Sequence, residues 1–140
     1  MQRRKRTQFW GATPDDDSLV REIVAGHKTA TVCPADEYYT ATNEFDDGGM
    51  EVGDCVEVFD LRGRLRCVIA ITEVYPVTFG AIPEKLWRGE GCTSAEHFRA
   101  VHRACWPQYA LTDDFALMAT HFTLAETVWV TDESGLSRKP

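Results

Sequence analysis

Apolar residues recur at helical spacing twice along the chain. Leu19, Val20, Ile23 and Val24 form the first stripe. Before it stand Thr13 as a cap, Pro14 at a first helical position, and Asp15, Asp16 and Asp17 at the positive end of the helix dipole. Gly26 should end this helix. Phe98, Val101, His102 and Cys105 form the second stripe, and Thr93-Ser-Ala-Glu96 reads as its capping box. The other signals alternate. Cys55 to Phe59 predicts a strand, Leu61 to Arg64 a turn, and Leu65 to Tyr75 a long strand centred on Val68, Ile69, Ala70 and Ile71. Leu117 to Val130 predicts a last long strand, and Pro83 one short helical turn. Residues 33–50 show no period and read as a long loop. The pattern predicts an α+β fold with a largely antiparallel sheet. One domain is expected over 9–131, beginning at Phe9 and Trp10, with a basic flexible arm at 1–8 and a disordered tail at 132–140.

Composition narrows the reading only a little. The chain has 140 residues, 44% hydrophobic and 26% charged, as expected of a soluble globular domain. No apolar run is long enough to cross a bilayer, and no apolar segment follows Arg3-Arg4-Lys5-Arg6, so neither a membrane span nor an export signal is read. A formal net charge of −7 argues against coating nucleic acid by bulk charge, although a local basic cleft stays compatible with it. Cys33, Cys55, Cys67, Cys92 and Cys105 are scattered and odd in number, which fits free thiols in a cytoplasmic protein. No Cys-x-x-Cys occurs and the acidic run is explained by a helix start, so no metal site is predicted.

The stretch with most chemistry is Gly26-His27-Lys28-Thr29-Ala30-Thr31, a helix-to-strand turn with a lysine and two hydroxyls. Strand alternation points Thr29 and Thr31 the same way. It puts Lys28 on the other face if pairing starts there, so local backbone geometry decides whether Lys28 and Thr31 meet. This stretch resembles the signature of ASCH domains, a branch of the PUA-like fold. The resemblance continues at Val52-Gly53-Asp54, Cys67-Val-Ile, Thr72-Glu73-Val74, Phe79, Gly89-Glu90-Gly91, His102 and Phe122. Cys92 departs from it, since relatives carry an acidic residue after Glu-Gly. The resemblance implies a small PUA-like β-barrel, largely antiparallel, with helices packed outside and a cleft between them.

A threonine hydroxyl is a poor nucleophile unless a lysine or carboxylate takes its proton. Small bacterial ASCH proteins that deacetylate acetylcytidine use a threonine, a lysine and a glutamate. That resemblance implies Lys28, Thr31 and Glu90 as catalytic residues here. Larger ASCH proteins are reported as ribonucleases on single strands, which implies Lys28 with Tyr38 or Tyr39. Tyr38 and Tyr39 can stack on a base, and Arg62, Arg64 and Arg66 can form a basic rim, though solvated edge charges are the commoner case. A lysine at a strand start is ordinarily solvated, and losing Lys28 is expected to cost little stability. His102 reads as a packed histidine rather than a catalyst. The expected function is hydrolysis of the amide of an acylated cytidine or of single-stranded RNA. The alternative is a non-catalytic RNA- or nucleotide-binding module. The expected partner is RNA or a modified nucleoside, not a membrane, and the sequence names no cofactor.

Overall fold

The structure, a computed structural model, describes residues 4–9, 11–41, 43–128, 130–131 and 137–138, the last two pairs by backbone alone. Its main sheet has five strands: β1 (Lys5–Gln8), β2 (Ala30–Pro34), β3 (Cys55–Phe59), β4 (Leu65–Thr78) and β5 (Ala116–Thr127). The order is β1-β3-β4-β5-β2, parallel between β1 and β3 and antiparallel elsewhere. The sheet curls into a half-barrel. Three helices pack on it: α1 (Ser18–Val24), α2 (Glu84–Gly89) and α3 (Ala95–Cys105). The α+β, largely antiparallel architecture with outer helices is therefore present. Among the described residues no helix is long and apolar enough to cross a membrane.

Two apolar clusters share the sheet. Val20 and Ile23 of α1 pack with Phe9, Val56, Val58, Cys67, Ile69, Ile71 and Phe122. Leu86 of α2 and Phe98 of α3 pack with Ala30, Phe79, Ile82, Leu117 and Ala119. A bulge at Thr72, between the Ile71–Phe122 and Glu73–His121 pairs, lets one strand serve both clusters. An extra residue reverses which side chains face which way. Odd residues of β4 face the first cluster up to Ile71, whereas Tyr75 and Val77 face the second and Val74 joins the first.

Four elements differ from the sequence reading. The predicted flexible arm includes a strand: Lys5–Gln8 pairs with Val56–Phe59. Lys5 Nζ binds Asp54 at 2.8 Å and the Arg6 amide donates to Asp47 Oδ2 at 2.8 Å. This strand carries no apolar alternation, so its pairing left no mark in the pattern. Next, α1 starts at Ser18 rather than after Thr13, because Thr13 to Asp16 closes a turn and Asp16 accepts from the amides of Ala12 and Ser18. Similarly, α3 opens one residue late. Ser94 Oγ accepts from the His97 amide at 3.0 Å, and His97 Nδ1 accepts in return from the Thr93 amide at 3.1 Å. Finally, β5 ends at Thr127, and β6 (Val130–Thr131) pairs with β7 (Ser137–Arg138), which falls within the expected tail. Trp10 and most of 132–140 lie outside the described residues.

Candidate active site

The site is assembled by the turn after α1. Gly26 takes φ +83°, a conformation that favours glycine, and the amides of His27 and Lys28 both donate to Glu22 O. The strand ladder begins only at Ala30, so Lys28 precedes it and is released from strand alternation. The next amide, Thr29, donates to Gly89 O at 2.7 Å. A Cβ on Gly89 would stand 2.7 Å from Ala30 Cβ, so only glycine lets the end of α2 approach this closely. Glu90 follows directly and is thereby set against Lys28.

Lys28 is buried, with 5% of its side chain exposed against 8% for Glu90. Its Nζ donates to Glu90 Oε1 at 2.6 Å and to Ala30 O at 2.8 Å, and it lies 5.8 Å from the centre of the Phe9 ring. His102 of α3 approaches the other carboxylate oxygen. Its Nε2 is 3.0 Å from Glu90 Oε2, out of line for a strong hydrogen bond, so that this oxygen is buried without an aligned donor. His102 Nδ1 is 2.7 Å from Phe98 O, and the ring stacks on Phe98 at 4.0 Å. Burial alone would raise the Glu90 carboxyl. The Lys28 charge first, then the approach of His102 and the Lys28 hydrogen bond, outweigh it and hold Glu90 below the usual range.

These groups line a cleft of about 740 Å³, within the size range of small-molecule sites. Thr31 pairs across the ladder with Thr120, so both hydroxyl-bearing side chains stand on one face of the sheet, and both line the cleft. Tyr38 lines it too. It is 4% exposed, its hydroxyl donates to Met50 O, and burial pushes its ionisation up. Cys33 and Cys92 lie on the same walls, both raised by burial, Cys33 to about 12. Each of the five cysteines is unpaired. Among the described residues no group of three His, Cys, Asp or Glu is placed to hold a metal ion.

Lys28, Thr31, Glu90 and Tyr38 are thus brought to one cleft, and the other named residues are not. Tyr39 is 73% exposed, edge-on to Tyr38 and outside the cleft lining. Arg62 pairs with Asp15, and Arg64 binds Asp60 at 2.9 Å. Arg66 is 3% exposed, bound to Asp17 at 2.8 Å and Asp60 at 3.1 Å. The three arginines therefore do not form a free basic rim. His102 is the residue that the sequence reading passed over. The one signal pointing to it was its place in the ordered series of family positions.

A family model for the ASCH domain matches residues 6–126. The chain belongs to the ASCH domain family. No curated protein matches it. This ASCH domain is similar in fold to three solved structures. A protein of Enterococcus faecalis V583 superposes with a TM-score of 0.69 at 18% identity, over 87% of this chain and 77% of that one. An ASCH domain of Lactobacillus crispatus JV V101 gives 0.66 at 19%, over 86% and 80%. A mutant ASCH protein of Zymomonas mobilis gives 0.54 at 11%, over 92% and 74%. At these identities the likeness speaks for the fold, which is PUA-like. The family and its fold suggest an RNA-related function for this ASCH domain.

Proposed function

We propose that this domain hydrolyses the exocyclic amide of an acylated cytidine, with Thr31 as nucleophile, Lys28 as base and Glu90 as its partner. The observation that carries the reading is the buried Lys28–Glu90 contact of 2.6 Å in the wall of a cleft that Thr31 also lines. At rest the proton sits on Lys28. Substrate that expels water favours the neutral form of a buried pair, because separated charges lose most on desolvation. Lys28 then stands as a free amine. Thr31 Oγ attacks the amide carbonyl as its proton passes to Lys28 Nζ. Collapse breaks the C–N bond, and the leaving nitrogen takes a proton from the pair. Water hydrolyses the resulting ester in the same way and restores Thr31.

The ribonuclease reading keeps support from Tyr38, which is buried in the wall of the same cleft. The two readings separate on one residue, since only the amide reaction needs the Thr31 hydroxyl. The test is turnover of an N4-acylated cytidine and of single-stranded RNA by wild type, Lys28→Ala and Thr31→Ala. Acylcytidine turnover lost in both variants supports the proposal. RNA cleavage that survives Thr31→Ala selects the ribonuclease. Binding without turnover selects a recognition module.

A further inference from the structure

We propose that the main-chain N–H of Val32 is the donor that receives the oxyanion formed when Thr31 attacks the amide. The proposal rests on the reading of Thr31 as nucleophile. It begins from the register of β2, the edge strand next to β5. The Phe122 amide donates to Thr29 O at 2.9 Å, and bonded pairs in an antiparallel ladder recur at every second residue. Thr31–Thr120 and Cys33–Met118 are therefore bonded pairs. Ala30, Val32 and Pro34 turn their main-chain groups away from β5. Two observations agree with this. Ala30 O accepts from Lys28 Nζ at 2.8 Å, and the third outward position is a proline, which has no N–H to satisfy. Among the described residues no loop carbonyl takes the Val32 N–H.

Val32 lines the cleft, yet its side chain packs with the second cluster, beside Ala30 and Ala119 and on the face opposite Thr31. What it presents to the cleft is thus main chain. Along this edge comes first Ala30 O, which holds Lys28 Nζ, then Thr31, then the Val32 N–H. The nucleophile therefore lies between its base and a free donor. An N–H one residue past the nucleophile is a place from which acyl-transfer sites hold an oxyanion. The step balances. Thr31 Oγ bonds to the carbonyl carbon, the π pair moves to the carbonyl oxygen, and the hydroxyl proton goes to Lys28 Nζ. The negative oxygen accepts from the Val32 N–H until collapse restores the C=O and breaks the C–N bond. A donor already fixed by the strand needs no reorganisation at that moment.

Other donors of the cleft wall are engaged elsewhere. The amides of Thr31 and Cys33 belong to the ladder with β5. The Tyr38 hydroxyl donates to Met50 O. Lys28 Nζ is held by Glu90 and Ala30 O, and in the attack it receives a proton instead of supporting the new charge. The thiols of Cys33 and Cys92 are weak donors.

Val32→Pro removes this hydrogen and tests the role. The N–H makes no ladder bond, and Pro34 already stands at the next outward position, so the melting temperature should change little. Turnover should not survive as well: kcat on acylcytidine should fall about 10²–10³-fold, with KM within about twofold. A thioamide analogue of the substrate adds a readout that a packing role would not move. Sulfur accepts hydrogen bonds poorly, so the wild-type preference for the oxygen amide should shrink in Val32→Pro. A phosphonamidate analogue, tetrahedral and anionic at the reacting centre, gives a second arm on wild type, which decides the matter if the variant does not fold. Bound to wild type, it should move the Val32 amide signal in nitrogen-15 spectra. A Val32 signal that stays in place overturns the role. So does a kcat kept in Val32→Pro while Thr31→Ala is inactive, and that result leaves the nucleophile standing. A wild type with no turnover overturns the hydrolysis and this role with it.

Discussion

Two buried charge networks in this domain use similar parts for opposite ends. One joins Arg66 to Asp17 and Asp60, and ties α1 to the start of β4. Asp60 also accepts from the amides of Arg62 and Arg64 and from Arg64 Nε, while Asp17 takes Arg21 at 2.8 Å. The other joins Lys28, Glu90 and His102 on the cleft wall. The first is built on guanidinium, which keeps its charge at any working pH and grips carboxylates in a fixed fork. The second is built on an amine and an imidazole, which exchange protons. Both leave one buried atom without an aligned partner, Arg66 Nε in the first and Glu90 Oε2 in the second. A spare donor on an arginine can do nothing but cost stability. A carboxylate beside an amine that can shed its proton is where that proton can go. The difference teaches that burial and pairing alone do not mark a reactive site; the capacity to change protonation does.

The sharpest way to separate the two networks is to remove the exchanging lysine. Lys28→Arg keeps the charge but cannot deprotonate, so kcat on acylcytidine should fall about 10²–10⁴-fold. Lys28→Ala should fall as far and should also destabilise. It leaves a carboxylate that is 8% exposed short of its cation, a loss of about 3–5 kcal/mol where a buried pair is broken. The sequence reading expected little loss of stability; the burial of Lys28 against Glu90 is the reason to expect a larger one. Denaturant unfolding beside kinetics measures both effects.

Arg66→Leu tests the other network. Taking the buried cation from Asp17 and Asp60 should cost up to about 3–5 kcal/mol in unfolding free energy, tempered by Arg21 and Arg64, which still pair with them. Turnover per folded molecule should stay within about twofold, since no proton passes there. A loss of kcat well beyond the folded fraction would erase the distinction between clamp and site.

Acid reaches both networks, since Asp17 is held low by Arg66 and Arg21 against the effect of burial, and Glu90→Gln isolates the second. The Glu90 carboxyl is held below the ordinary value of 4.5 in the fold. A depressed folded value means stability that is fully present above about pH 4.5 and lost as the pH falls through the depressed value. Unfolding free energies measured down that range should lose part of their acid slope in Glu90→Gln. The smallest effect is a control outside both networks. Ser94→Ala removes the cap of α3 and should cost about 1 kcal/mol with little change in turnover.

What was legible in the sequence follows from where each signal resides. Strands with one buried face, such as Cys55–Phe59, announced themselves by alternation, and Gly26 announced the turn by its place after an apolar stripe. Lys5–Gln8 did not, because four polar residues held by a neighbour's backbone carry no pattern of their own. The cap moved from Thr93 to Ser94 because His97, not Glu96, closes the box, and a histidine in that role is not the usual signal. Lys28, Thr31 and Glu90 were named through family resemblance and chemistry, whereas their convergence depends on the tertiary approach of Gly89 to Thr29 and Ala30. His102 read as packing because its partners are Phe98 O, one turn back, and Glu90, from another element. No spacing rule links those two. The arginines read as a rim because Asp15 and Asp17 are far off in sequence and were already explained as a helix start, while Asp60, only two to six residues before them, was not weighed as their partner.

The central claim is that Thr31 carries the acyl group between two half-reactions, and trapping that intermediate tests it most directly. Wild type is mixed with an N4-acylated cytidine, quenched in acid within a turnover, digested and analysed by mass spectrometry. The account predicts one acyl group on the peptide that contains Thr31, cytidine released in equal amount, and neither in Lys28→Arg. Cytidine release that continues in Thr31→Ala, or an acyl group found on Cys33 or Cys92 instead, would contradict it.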